Sequence, residues 1–191
     1  MHGSPASQEV ALDAPVWSRQ RKARDEATLI RQAKRGSADA VEALVRRHWD
    51  GAHRAAFLIV HDAAAAEDIA QESVLAAVDS IDRFDRRRPF RPWLHRIVVN
   101  RSLDFLRARQ RRREVSVDAV PAASVPDEGA PGELMTALEA LEPEQRALIV
   151  MRHLHGYRSS ELARMLGLPA ATVRTRLARA LHRLEAMVDE P

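Results

Sequence analysis

The chain has 191 residues, of which 46% are hydrophobic, 30% charged and only 4% aromatic, with 7 glycines, no cysteine and a formal net charge of +3. That length accommodates one or two small domains, and cores resting on Leu, Val, Ile and Ala with little glycine favour helix over sheet, so the expected fold class is all-α. The missing cysteines exclude a disulfide framework, a thiolate zinc site and a cysteine nucleophile, and no apolar run approaches the roughly 18 residues of a membrane span.

In chain order, residues 1–24 carry Gly3, Pro5, Pro15 and scattered charge without a period, and are expected to form a disordered tail in which only Trp17 is a candidate for docking. No apolar h-region marks a signal peptide, so a cytoplasmic protein is expected. A first helical domain spans 25–113. Leu29, Ile30 and Ala33 share a face, Gly36 breaks the pattern, and Ser37 is placed to cap the next helix. That second helix carries Val41, Leu44, Val45, Trp49, Ala55, Ala56, Leu58 and Ile59. His48, His53 and His61 lie along it without the i, i+4 spacing of a metal pair, so ordinary surface histidines are expected. A third helix runs from about Ala63 to Ile81. Ala70, Val74, Ala77, Val78 and Ile81 form its inner side, and Asp68, Gln71, Glu72, Leu75 and Asp79 the outer. One apolar residue ringed by carboxylates and amides has the look of a helix-docking face.

A basic loop with Arg86, Arg87, Arg88 and Arg91 leads past Pro89 into a fourth helix. At about 100° per residue, Trp93, Arg96, Asn100, Asp104 and Arg107 fall on one polar stripe between two apolar flanks, Leu94, Ile97, Val98 and Phe105 on one side and Val99, Leu103 and Leu106 on the other. A large ring offers a face to an unstacked base, and amides and guanidiniums read base edges. Residues 114–132 are rich in Pro, Ala and acid and read as a flexible linker. Residues 133–191 form a second helical domain. Leu134, Leu138 and Leu141 lead to Pro143; Ala147, Leu148, Val150 and Met151 continue to Gly156. A helix-turn-helix pattern follows: Ser159 or Ser160 caps, Leu162, Ala163 and Leu166 pack, Gly167 turns and Pro169 opens the second helix. There Val173, Leu177, Ala180, Leu181 and Leu184 face inward, while Arg174, Thr175, Arg179, His182 and Arg183 face out with Arg176 at the edge, as in a recognition helix.

Charge is arranged in blocks. Between Asp62 and Asp85 the only base is Arg83; from Arg86 to Arg113 only Asp104 breaks a run of arginines; Glu114 to Glu144 is purely acidic; from Arg146 to Arg183 the only acid is Glu161. Two basic surfaces suit a polyanion, and a separate acidic face suits another partner. No Gly-rich phosphate loop or GxSxG elbow is present, and His153 and His155 are spaced so that their rings diverge. Neither an enzyme nor a cofactor or metal is expected.

Two stretches carry a family resemblance. Ala66-Glu67-Asp68-Ile69-Ala70-Gln71-Glu72, followed by Phe84-Asp85, Phe90, Trp93-Leu94, Ile97, Asn100, Asp104 and Arg107, is one. Leu138 to Leu141 with Pro143, Gln145 and Arg146, followed by Leu166-Gly167-Leu168-Pro169 and Thr172-Val173-Arg174-Thr175-Arg176-Leu177, is the other. The chain thereby resembles sigma-70 family RNA polymerase sigma factors of the small extracytoplasmic-function (ECF) type, with 25–113 as region 2 and 133–191 as region 4. It departs from the usual pattern at Val74, Val78, Arg158 and Ala171.

The resemblance implies transcription initiation with core RNA polymerase and promoter DNA as partners. Asp68, Gln71, Glu72 and Leu75 would dock on the clamp helices of the largest subunit, with a flap contact elsewhere. Arg86, Arg87, Arg88, Arg91, Trp93, Arg96 and Asn100 would take the −10 element. Arg174, Thr175, Arg176, Arg179 and Arg183 would read the −35 element. An anti-sigma factor is a further candidate partner. The alternative is a free-standing helix-turn-helix regulator that binds duplex without polymerase.

Overall fold

The structure is a computed structural model that describes residues 16–115 and 132–188. Most of the expected tail and nearly all of the expected linker therefore lie outside the described residues, as does the Trp17 side chain. The described elements are helical throughout, as the composition requires. The chain divides after Leu44 into two compact units.

In the first unit, α1 spans Val16–Ala33. It starts nine residues before the expected Asp25, so 16–24 are helical rather than a tail. No Gly or Pro interrupts the chain between Val16 and Ala33, and Arg, Gln, Lys, Ala and Glu are strong helix formers; propensity sustains the helix where no apolar period marks it. Gly36, at φ 86°, makes the turn. The Ala40 N–H then donates to Ser37 Oγ at 3.3 Å, the expected cap of α2 (Ala38–Val60).

In the second unit, every residue from Ala55 to His61 is buried, so this end of α2 is covered on all sides. Asp62 caps α3 (Ala63–Asp79) by accepting the Ala65 N–H at 3.0 Å. α3 packs along α4 (Phe90–Val115) and buries Ala66, Ile69, Ala70, Ser73, Val74 and Ala77. Val78, expected inside, is only partly buried. Between them lie a short 3-10 turn (Ile81–Arg83) and the basic loop.

After α5 (Gly132–Glu139), α6 (Pro143–Ile149) opens on Pro143 and is buried from Arg146 onward. It runs into a π-helical turn (Val150–Leu154), where the His155 N–H reaches back five residues to the Val150 carbonyl at 3.3 Å. Gly156, at φ 71°, ends it. α7 (Ser159–Leu166), the turn at Gly167 (φ 67°) and α8 (Ala170–Val188) form the helix-turn-helix. Neither Ser159 nor Ser160 is the N-cap. That position belongs to Arg158, whose N–H donates to the Glu161 carboxylate at 2.7 Å; a carboxylate in the first turn satisfies the free N–H as a serine would have done. Val173, Leu177 and Ala180 are buried as expected, but Leu181 is 37% exposed because the packing against α6 and α7 has ended by that turn.

Candidate nucleic-acid interface

The acidic face of α3 forms as its periodicity predicts. Asp68, Gln71 and Glu72 are exposed, and Leu75 is 55% exposed among them, the most exposed large apolar side chain of the described residues. Glu72 is not free: Arg101 of α4 donates to its carboxylate. The pair braces the carboxylate toward α4, and as an exposed ion pair it adds little stability.

The basic loop is a turn held by Asp85. Its carbonyl accepts the Arg88 N–H at 2.9 Å and its carboxylate the Arg87 N–H at 3.0 Å, with the Arg88 guanidinium 3.8 Å away. One aspartate thereby fixes the backbone and leaves the Arg86, Arg87 and Arg88 side chains exposed. Trp93 is half-buried. Its ring lies 4.8 Å from Phe84 and 5.4 Å from Phe90, which in turn meets His48 at 5.1 Å. These tilted contacts root Trp93 in the core by one edge, while Arg96 and Asn100 stay exposed beside it. Trp93 is thus both a packing residue and a surface one.

On α8, Arg174, Thr175, Arg179 and Arg183 are exposed and Arg176 is partly covered. Arg183 stands 4.0 Å from Glu142. A helix with buried Val173, Leu177 and Ala180 on one side and arginines on the other presents its N-terminal half to a groove and its later turns to phosphates.

Residues 44–112 match the family description Sigma-70 region 2, and residues 132–184 match Sigma-70, region 4, more than half of the chain between them. The chain belongs to the sigma-70 family. Its similarity to the ECF RNA polymerase sigma factor SigM of Mycobacterium tuberculosis is 35% identity over 173 residues, covering 88% of this chain and 87% of that one. With the ECF RNA polymerase sigma factor SigW of Bacillus subtilis it shares 29% identity, over 84% and 95% of the two chains. Among solved structures, CnrH in complex with the cytosolic domain of CnrY aligns at TM-score 0.67 and 30% identity, covering 86% of this chain and 97% of that one. The protein is thus an ECF-type sigma factor, a transcription initiation factor, and the free-standing regulator is not favoured.

The sigma factor brings its two regions together at residues that the sequence did not single out for that role. α6 and α7 of region 4 both pack on α4 of region 2. Arg146 is 8% exposed and has carbonyls as its hydrogen-bond partners: Leu138 at 2.8 Å, Glu139 at 3.0 Å and Leu141 at 3.2 Å within region 4, and Ile59, at the end of α2, at 2.7 Å. A cation at a helix C-terminus meets carbonyls that the helix itself leaves unpaired. Burial holds the Arg146 pKa below its ordinary value, with Glu139 and Glu142 opposing.

Near it, His61 occupies the left-handed region at φ 54°. Its Nε2 donates to the Leu58 carbonyl at 3.0 Å, and Nδ1 lies 3.3 Å from Glu139. Burial, then Arg146, pushes the His61 pKa down. The expectation of surface histidines therefore fails for His48 and His61, both buried. His48 faces the aromatic cluster and His61 closes α2, positions that only the tertiary packing defines.

The second junction is a ring cluster. His95, 2% exposed in α4, shares a 3.0 Å hydrogen bond with the Tyr157 hydroxyl and stacks edge-on against His155 at 4.3 Å. Arg91 donates to His155 Nδ1 at 3.0 Å and to the His155 carbonyl at 3.3 Å, with its guanidinium 5.5 Å from the centre of the Tyr157 ring. Because a guanidinium only donates, Nδ1 of His155 must accept, so this ring is neutral. Burial, then Arg91 and Arg54, holds the His155 pKa at about 4. His95 is held at about 2 by burial, then by His155, Arg91 and His48. Burial pushes the Tyr157 phenol up, so it stays protonated. The sequence signal for this cluster was slight: a histidine on an apolar flank of α4, and a lone tyrosine just after Gly156.

Proposed function

We propose that this sigma factor docks on core RNA polymerase through Asp68, Gln71, Glu72 and Leu75, takes the melted −10 strand on Arg86, Arg87, Arg88, Arg91, Trp93, Arg96 and Asn100, and reads the −35 duplex with Arg174, Thr175, Arg176, Arg179 and Arg183. The observation that carries this is the separation of surfaces. One acidic face with an exposed leucine lies on α3, while exposed arginines line the loop before α4 and the outer side of α8. The acidic face suits a basic or apolar helix and repels DNA; the arginines do the reverse.

Trp93 is held at one edge and open at the other, which suits stacking of a flipped base, with Asn100 one helical face further on. The chemistry is binding and positioning rather than catalysis, and the workplace is the cytoplasm, where the polymerase acts; no described helix is long and apolar enough to cross a membrane. The solved complex of the similar CnrH with the cytosolic domain of CnrY supports an anti-sigma factor as a further partner.

The deciding experiment is transcription in vitro from a promoter library with purified core polymerase, with and without the protein. Leu75→Arg, alone and with Glu72→Arg, should abolish factor-dependent transcripts and co-purification with core while leaving helical content unchanged. Full co-purification of the folded double variant would remove α3 from the docking surface. Tight duplex binding in the absence of polymerase would favour the free-standing regulator.

A further inference from the structure

The −10 surface assigned above and region 4 compete for the same side chains. Arg91, which should meet a phosphate, is occupied by the side chain and carbonyl of His155. The open edge of Trp93 faces a cavity of about 370 Å³ whose walls include Arg88 and Arg96 on the region 2 side, and Glu161, Arg164 and Met165 of α7 on the other. A carboxylate and a methionine therefore stand where a flipped base and its phosphate would enter. Two further links hold this arrangement: Arg146 from α6 on the Ile59 carbonyl of α2, and the Tyr157 hydroxyl on His95. A third feature permits it. Gly51 of α2 has no side chain, and a Cβ there would lie 3.6 Å from His95 Nε2 and 4.0 Å from His155 Cε1, so the two rings close directly over the helix backbone.

We propose that this packing is an autoinhibited state of the free sigma factor, in which α6 and α7 of region 4 shut the −10 site of region 2, and that the site opens only when Arg146, His155 and Tyr157 leave α2 and α4. The inference rests on the assignment of Arg91, Trp93 and Asn100 to −10 DNA. Its physical content is competition. A state that binds single-stranded DNA only when open loses apparent affinity in proportion to the open fraction. The latch residues Tyr157, His155 and Arg146 take no part in either proposed DNA surface, so their loss should release the site without damaging it.

The chain has no cysteine of its own, so Asp79→Cys on α3 and Glu185→Cys on α8, both exposed, accept a pair of spin labels cleanly. In the free protein the label pair should give one narrow distance distribution. Two independent variants should lengthen and broaden it. His155→Ala with Tyr157→Phe removes the polar links and keeps the buried ring; Gly51→Met wedges the interface from the other side and touches neither link.

In parallel, both variants are titrated with fluorescein-labelled single-stranded DNA of random sequence and about 12 nucleotides, in the range of natural single-strand sites. If the wild type is open about a tenth of the time, each should bind about tenfold more tightly, and adding Asn100→Ala should erase the gain. An unchanged distance distribution in both variants overturns the latch. Opening without any gain in DNA binding overturns the claim that region 4 shuts the site. A gain that survives Asn100→Ala places the DNA elsewhere, overturning the −10 assignment and the autoinhibition that rests on it, while the distance data still report the latch separately.

Discussion

Arg146→Met tests how the two regions are joined, and its cost follows from the geometry. Methionine fills much of the same volume without a donor. The Leu138 carbonyl keeps a second donor, the Leu141 N–H at 3.2 Å, so its loss is small. The carbonyls of Ile59, Glu139 and Leu141 each lose their Arg146 donor. At about 1 kcal/mol net for a hydrogen bond, those three cost about 3 kcal/mol. Against this stands relief of the desolvated guanidinium, whose depressed pKa shows that burial disfavours the charge. That relief is full only when the partners also become apolar, and here they are backbone. The balance is therefore a loss of about 2–3 kcal/mol, a large share of the roughly 5–15 kcal/mol typical of a folded protein. With a urea slope of about 2 kcal/mol/M, the midpoint should fall by about 1–1.5 M. Arg146→Lys keeps the charge but replaces the fork by one ammonium, so it should recover only part of the loss. Urea denaturation followed by far-ultraviolet circular dichroism measures both. A midpoint within about 0.3 M of wild type for Arg146→Met, on that same slope, would show that the four carbonyl contacts do not hold the structure.

Other outcomes follow from the same contacts. His95 and His155 have folded pKa values of about 2 and about 4, against 6.5 unperturbed. Unfolding lets each take up a proton, so their contribution is fully present above pH 6.5 and is lost as pH falls toward 4, with a slope approaching about 1.4 kcal/mol per pH unit for each ring. Denaturation at about pH 7 and about pH 5 should show His155→Asn losing less stability than wild type over that interval by about 1–2 kcal/mol; equal losses would mean that His155 is not neutral in the folded chain. Asn100→Ala should impair open-complex formation with core polymerase more than closed-promoter binding, and a pre-melted −10 bubble should restore part of the activity; equal loss on both templates would argue against a single-strand role. Arg174→Ala should flatten preference at one or two −35 positions, by about 1–3 kcal/mol each, whereas Arg179→Ala should weaken all promoter variants alike and lower the salt slope by about one counterion. The reverse pattern, read from −35 variants titrated at several salt concentrations, would turn the recognition helix by about half a turn.

The sequence disclosed what depends on local periodicity. The exposed arc of α3 around Leu75, the polar stripe of α4 and the arginine face of α8 are all properties of one helix at a time, and a 3.6-residue repeat specifies them. What it concealed depends on distant partners. Arg146 reads as one more arginine of a basic block, yet one of its acceptors lies 87 residues away on α2. His48 and His61 look solvent-facing because a histidine's burial is decided by what packs over it. Trp93 fell on the polar stripe by angle alone, and only Phe84 and Phe90 show that it is half core. The helical stretch from Val16 to Arg24 escaped for the opposite reason: it is sustained by propensity without an apolar repeat, so periodicity could not detect it.

The π-helical turn at Val150–Leu154 sets an angle as well as a length. Such a turn holds one residue more than a regular α-helical turn would need. Everything after it, from the His155 and Tyr157 rings to the helix-turn-helix, is therefore rotated by about 100° relative to α6. Removing one residue there would regularise the helix and swing His155 and Tyr157 away from α4, while the arginines of α8 turned with them. A single surplus residue thus acts as the setscrew of the DNA-reading unit, fixing the direction in which the recognition helix points from the body that holds it.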